Sequence, residues 1–147
     1  MTRTSFFSLL QGSARAFAQT ALWAGLAILL LPSCSVQEGP GGSGVITGRL
    51  FTHDYNSDFT QLNGSYYVPD EDVFLVYGDE EIYGDDMKTH YDGRFRFEYL
   101  RKGKYTVYAY SKDSTLAEPS GVYPVMVDVE ITGKSEVVDI GEILIIK

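Results

Sequence analysis

Few side chains in this chain can do chemistry, and their spacing excludes more than it allows. Among the 147 residues there is one cysteine, Cys34, and there are two histidines, His53 and His90. A single thiol forbids an intramolecular disulfide. The two histidines do not have the close spacing of zinc ligands, and no Gly-x-Ser-x-Gly elbow presents a serine nucleophile. Acids cluster at Asp79-Glu80-Glu81 and Asp85-Asp86. A calcium loop starting at Asp79 would need oxygen ligands at its fifth and twelfth positions, where Tyr83 and His90 stand. Asp79, Glu80, Asp85 and Asp86 are the only metal-ligand candidates left, and solvated acids that blunt a hairpin edge are the plainer reading. The expectation is a non-enzymatic chain with no cofactor and no metal centre.

The tyrosines point elsewhere. Tyr55, Tyr66, Tyr67, Tyr108 and Tyr110, with Phe59 nearby, lie in polar or alternating surroundings that read as exposed. A tyrosine offers a flat apolar face and a polar tip, which suits protein partners and sugar rings alike. These five are the candidate ligand surface.

Cys34 gains meaning from what precedes it. Residues 1–33 contain no acid, and their only charges are Arg3 and Arg15. The run Ala21–Leu31 is apolar and leads to Pro32-Ser33-Cys34. A basic leader, a short apolar core and small residues at a cut site make an export signal. The apolar core is well short of the ~20 residues that a transmembrane helix needs. Leu31-Pro32-Ser33-Cys34 resembles the lipobox of bacterial lipoproteins. The resemblance implies a diacylglyceryl thioether on Cys34, with palmitate-like chains, cleavage before it, and acylation of the new amine. The mature protein would then sit in the cell envelope of a Gram-negative bacterium, at the outer membrane, its membrane contact made by the lipid on Cys34. Losing residues 1–33 removes two arginines and no acid, so the net charge of −8 becomes −10. That acidity argues against nucleic acid as a partner and leaves proteins or glycans. Residues 34–44, rich in Gly and Ser, read as a flexible tether.

From residue 45 to 147 the pattern is all-β, since short aromatic and β-branched runs alternate with Gly, Asp, Asn and Ser clusters. Seven strands are expected: 45–52, 71–77, 82–90, 94–99, 103–111, 122–131 and 136–146. Alternation puts Ile46 and Leu50, Val73 and Leu75, Phe95 and Phe97, and Tyr105, Val107 and Ala109 on inward faces. The last strand is apolar on both faces and reads as central or doubly covered. Residues 53–70 read as one long functional loop.

One stretch carries a family signature. Thr89-His90-Tyr91-Asp92-Gly93-Arg94-Phe95-Arg96-Phe97, followed by Leu100-Arg101-Lys102-Gly103-Lys104-Tyr105-Thr106-Val107, resembles the carboxypeptidase-regulatory-like domains. Ile46-Thr47-Gly48 and Val138-Asp139-Ile140-Gly141 match that pattern's ends. The resemblance implies the seven-stranded Greek-key sandwich of prealbumin (transthyretin-like) and Cna B-type domains. Ala109 and Arg49 occupy the places of the Glu and Lys that make an isopeptide crosslink in Cna B-type repeats, so none is expected here. Asp113-Ser114-Thr115 is similar to an O-glycosylation acceptor triplet.

Overall fold

Alternating apolar and polar residues in a chain this short can form two layers of strands that share one core. A computed structural model describes residues 37–147; the expected signal at 1–33 and Cys34 lie outside the described residues. Eight strands are present there: β1 (Pro40–Tyr55), β2 (Leu62–Tyr67), β3 (Asp72–Tyr77), β4 (Asp85–Lys88), β5 (Arg94–Leu100), β6 (Gly103–Lys112), β7 (Val122–Ile131) and β8 (Val137–Ile146). Among the described residues no helix is long and apolar enough to cross a membrane.

The strands make two four-stranded sheets. In the first, β1 is central. It pairs in parallel with β8, from Val45 opposite Val137 to His53 opposite Ile146. Its other edge is shared by β5, which covers its first half, and β2, which covers its second. The second sheet runs β4-β3-β6-β7 and is antiparallel throughout.

The inward sets meet between the layers. Ile46, Leu50, Val73, Leu75, Phe95, Val107, Ala109 and Ile145 are fully buried, with Phe97, Leu100, Tyr105, Ile131 and Ile143 nearly so. Each such apolar side chain contributes about 1.5–3 kcal/mol relative to exposure. Gly93 allows the turn that joins this core to the outside. Its φ is +75°, its N–H donates to the His90 carbonyl at 2.9 Å, and a Cβ there would lie 2.7 Å from the Leu50 carbonyl oxygen.

Four expectations fail. The 53–70 segment is not one loop, because it turns at Asn56–Gln61 and returns as β2. The Asn56 side chain accepts the Thr60 and Gln61 amides at 2.9 and 3.1 Å, and this closes the turn. The strand expected at 82–90 shrinks to Asp85–Lys88, since Gly84 packs under the Tyr77 ring where a Cβ would overlap it. β8 is neither central nor doubly covered: it pairs only with β1, and Leu144 is 48 % exposed on its outer face.

The fourth concerns the tether, whose glycines are part of the fold. β1 begins at Pro40, and a Cβ on Gly42 would overlap the Leu100 carbonyl. Gly44 packs against Ile131, and the Arg101 amide donates to the Gly39 carbonyl at 2.9 Å. The Gly39 amide donates to the buried Tyr105 hydroxyl at 3.2 Å, while that hydroxyl donates to the Arg101 carbonyl at 2.8 Å. Glycine serves here for close approach rather than for freedom.

Candidate functional site

The outward positions of the second sheet carry a patch that water does not favour. Period-two alternation turns Phe74 and Val76 of β3, Tyr108 and Tyr110 of β6, and Pro124 and Met126 of β7 away from the core. Register brings them together: Phe74 lies opposite Tyr108, Tyr108 opposite Met126, and Tyr110 opposite Pro124. The Phe74 and Tyr108 rings stack at 4.9 Å and 17°. Tyr83 reaches over from the loop before β4 to 4.9 Å from Phe74, and Tyr110 stands edge-on to Tyr108 at 5.6 Å and 87°. Met126, on the edge strand β7, is 60 % exposed at the end of this row.

Acids border one end of the face. Val76, Tyr108, Tyr110, Pro124 and Met126 line a groove of about 580 Å³ whose rim is Asp79, Glu80 and Glu81. Partial burial raises the Tyr108 phenol above its ordinary value, and the neighbouring Tyr110 adds to this. The phenol therefore stays neutral near pH 7 and can donate a hydrogen bond. At the same end the Thr106 hydroxyl, which also lines this groove, donates to Asp128 at 2.7 Å. The arrangement offers apolar area, ring faces and hydroxyls, with charge confined to the margin. Such a surface binds by shape and desolvation.

The structure divides the five candidate tyrosines. Tyr108 and Tyr110 belong to the face just described. Tyr67 lies on the other sheet, 5.2 Å from the Phe51 ring, with the Arg49 guanidinium 4.7 Å above its centroid and its hydroxyl on Glu142. Tyr66 sits opposite Thr52, so it points to the other side of β2 from Tyr67. Tyr55 is half-buried at the end of β1, opposite Leu62. The five therefore do not form one surface, and even the adjacent Tyr66 and Tyr67 face opposite sides of β2.

Phe74, Tyr83, Pro124 and Met126 were missed as site residues. The signal for Phe74 was available, because a strand whose inward set is Val73, Leu75 and Tyr77 should not also carry apolar outward residues unless something covers them.

The remaining candidates do not converge. Asp85 and Asp86 are successive on β4 and so face opposite ways, while Asp79 and Glu80 lie in the turn after β3. Among the described residues no three acidic, histidine or cysteine side chains approach a common metal-sized point. His53 Nδ1 lies 2.7 Å from the Ser65 hydroxyl on the first sheet, and His90 is exposed in the Gly93 turn. Asp113 is buried as the hub of its loop. Its carboxylate accepts the Thr115 hydroxyl at 2.6 Å and the Thr115 and Glu118 amides at 2.8 Å, while Ser114 is exposed.

Comparison with known proteins adds little. No protein-family model matches the chain, and no curated protein matches it. Among solved structures, a Pseudomonas aeruginosa protein proposed to bind carbohydrate is similar over 74 % of this chain and 91 % of its own, at 15 % identity and a TM-score of 0.43. An (S)-allantoin synthase is similar over 91 % of this chain and 52 % of its own, at 13 % identity and a TM-score of 0.36.

Proposed function

We propose that this chain is an exported lipoprotein of a Gram-negative envelope, anchored at the outer membrane through Cys34, whose domain is a non-catalytic binding module. In this reading the two sheets are a variant of the prealbumin-like sandwich. Phe95, Leu100 and Tyr105 of the motif meet in the core, which supports that resemblance. The eighth strand, β2, is an addition to the seven-stranded plan.

One observation carries the binding assignment: the outward row of Phe74, Tyr108, Tyr110, Pro124 and Met126 on the second sheet, in which Tyr110, Pro124 and Met126 are exposed and Phe74 and Tyr108 half-buried. Leaving such residues in water is unfavourable, and aromatic residues and Met are the types enriched at the centres of protein interfaces. The preferred partner is another envelope protein. A photo-reactive residue in place of Met126, compared with one at exposed Ser57, tests this in intact cells. A discrete adduct from position 126 that is lost on Tyr108→Ala with Tyr110→Ala is expected. Equal, diffuse labelling from both positions would refute it.

A second reading, glycan capture, draws on the carboxylates of Asp79, Glu80 and Glu81 at the end of the same groove. Acids beside ring faces are placed to accept sugar hydroxyls. Retardation on a polysaccharide gel that Tyr108→Ala abolishes would favour it over a protein partner.

A further inference from the structure

The outer face of the first sheet carries a second groove, of about 350 Å³, with a charge pattern unlike the rest of the surface. Thr47, Arg49, Arg94, Arg96, Asp139 and Glu142 line it. Three of the four arginines among the described residues are thus on one face of an acidic domain.

Register arranges these residues in two parallel rows across β5, β1 and β8. One row reads Arg96, Thr47, Asp139, and the next reads Arg94, Arg49, Glu142. Arginines therefore border the groove on the β5 side and carboxylates on the β8 side. The two borders are two strand spacings apart, about 10 Å.

The opposite charges do not cancel across the groove. Arg96 pairs along its own strand with Glu98 at 2.6 Å. Arg94 and Arg49 both reach Asp92, at 3.2 and 3.8 Å, and Arg49 also lies on the Tyr67 ring. Asp139 instead accepts the Gly141 amide at 2.9 Å, and Glu142 accepts the Tyr67 hydroxyl. Among the described residues neither β8 carboxylate has a cation within ion-pair range. Arg49 directly opposite Arg94 is, moreover, a like-charge cross-strand pair, an arrangement that weakens a sheet. Asp92 lies within ion-pair range of both and offsets that repulsion, whereas Asp139 and Glu142 have no such partner among the described residues, and a ligand carrying both charges would complement the two borders.

We infer that this groove binds a short zwitterionic peptide laid across the strands, its carboxylate on Arg94 and Arg96 and its ammonium on Asp139 and Glu142. Three extended residues span about 10 Å, which matches the separation of the two borders. The planar guanidinium fork suits the carboxylate end, while the ammonium, a compact point charge, needs only clustered oxygens. Thr47 and the Tyr67 ring lie between and beside the two poles and would meet the peptide's middle.

Titration calorimetry of the full chain, purified in detergent at low salt, tests this with three probes: tri-alanine, N-acetyl-tri-alanine and tri-alanine amide. The free peptide should bind, and capping either end should weaken binding about tenfold or more. The double variants Arg94→Gln with Arg96→Gln, and Asp139→Asn with Glu142→Gln, should each cause a comparable loss. Because capping alters only the probe, the result stands even if a variant folds poorly. No heat with free tri-alanine up to about 10 mM would overturn the inference, since binding weaker than that is worth under about 3 kcal/mol. Indifference to capping at either end would overturn it too, because a site for an anion or a cation alone is not a bipolar one.

Discussion

Two buried side chains hold segments that would otherwise be loose, and each makes a sharp prediction. The first is Asp113, whose carboxylate is held down to about 2, first by the Thr115 hydroxyl and then by the Glu118 amide and its neighbours. A folded-state value below the unfolded ~3.9 means that the stabilisation is present above about pH 4 and lost as pH falls toward 2. Denaturant midpoints measured from pH 5 to 2 should therefore fall, and Asp113→Asn should flatten that fall while lowering the midpoint at pH 7. An unchanged slope in the variant would remove Asp113 from the acid response. The second is Tyr105, whose hydroxyl joins Gly39 to Arg101. In Tyr105→Phe the Gly39 amide stays buried without its partner, which costs about 1–3 kcal/mol. Thermal melting should register this as a drop of several degrees. A melting temperature within 1 °C or so of the parent would mean that the amide finds water instead.

At the scale of the element, strands with one clean face were legible and those with two similar faces were not. Ile46 and Leu50, Phe95 and Phe97, and Tyr105, Val107 and Ala109 alternate with polar residues, so period two alone assigned them to the core. β2 reads Leu-Asn-Gly-Ser-Tyr-Tyr, with no buried residue in it, and it is a strand because Asn56 closes a turn that lays it along β1. β8 misled for the opposite reason. Apolar residues on both faces suggested a central position, yet Leu144 is exposed beyond the edge pairing with β1. The candidate face was half legible. Tyr108 and Tyr110 were identified, but composition cannot tell that Phe74, Pro124 and Met126 lie beside them, because only cross-strand register does that. The Gly-rich start was misread because composition signals freedom where the packing needs small residues. Hydrogen exchange distinguishes the two directly. Amides of residues 41–46 should exchange as slowly as those of β5, whereas a free tether would lose its protons within the dead time.

For the molecule as a whole, the docking of Gly39 to Gly44 changes what the proposed anchor does. If the chain begins at Cys34, only residues 34–36 separate the lipid from Gln37, a reach of about 10 Å. The domain would then stand against the bilayer on a short leash, with Glu38, Tyr77, Asp79 and Glu80, which line a small groove at the chain's entry, as its membrane-proximal end. An acidic end is repelled by anionic lipid, so the body would be held near the surface without lying on it. The aromatic face and the charged groove belong to different sheets, so on the proposed readings their two ligands would not compete. All of this presumes that export ends in cleavage and acylation at one residue. Intact-mass spectrometry of the protein extracted from its native envelope tests that presumption most directly. The account predicts a polypeptide starting at Cys34 and carrying a thioether-linked diacylglycerol with an acylated amine. A chain that retains residues before Cys34, or a mature chain with a free thiol there, would contradict it.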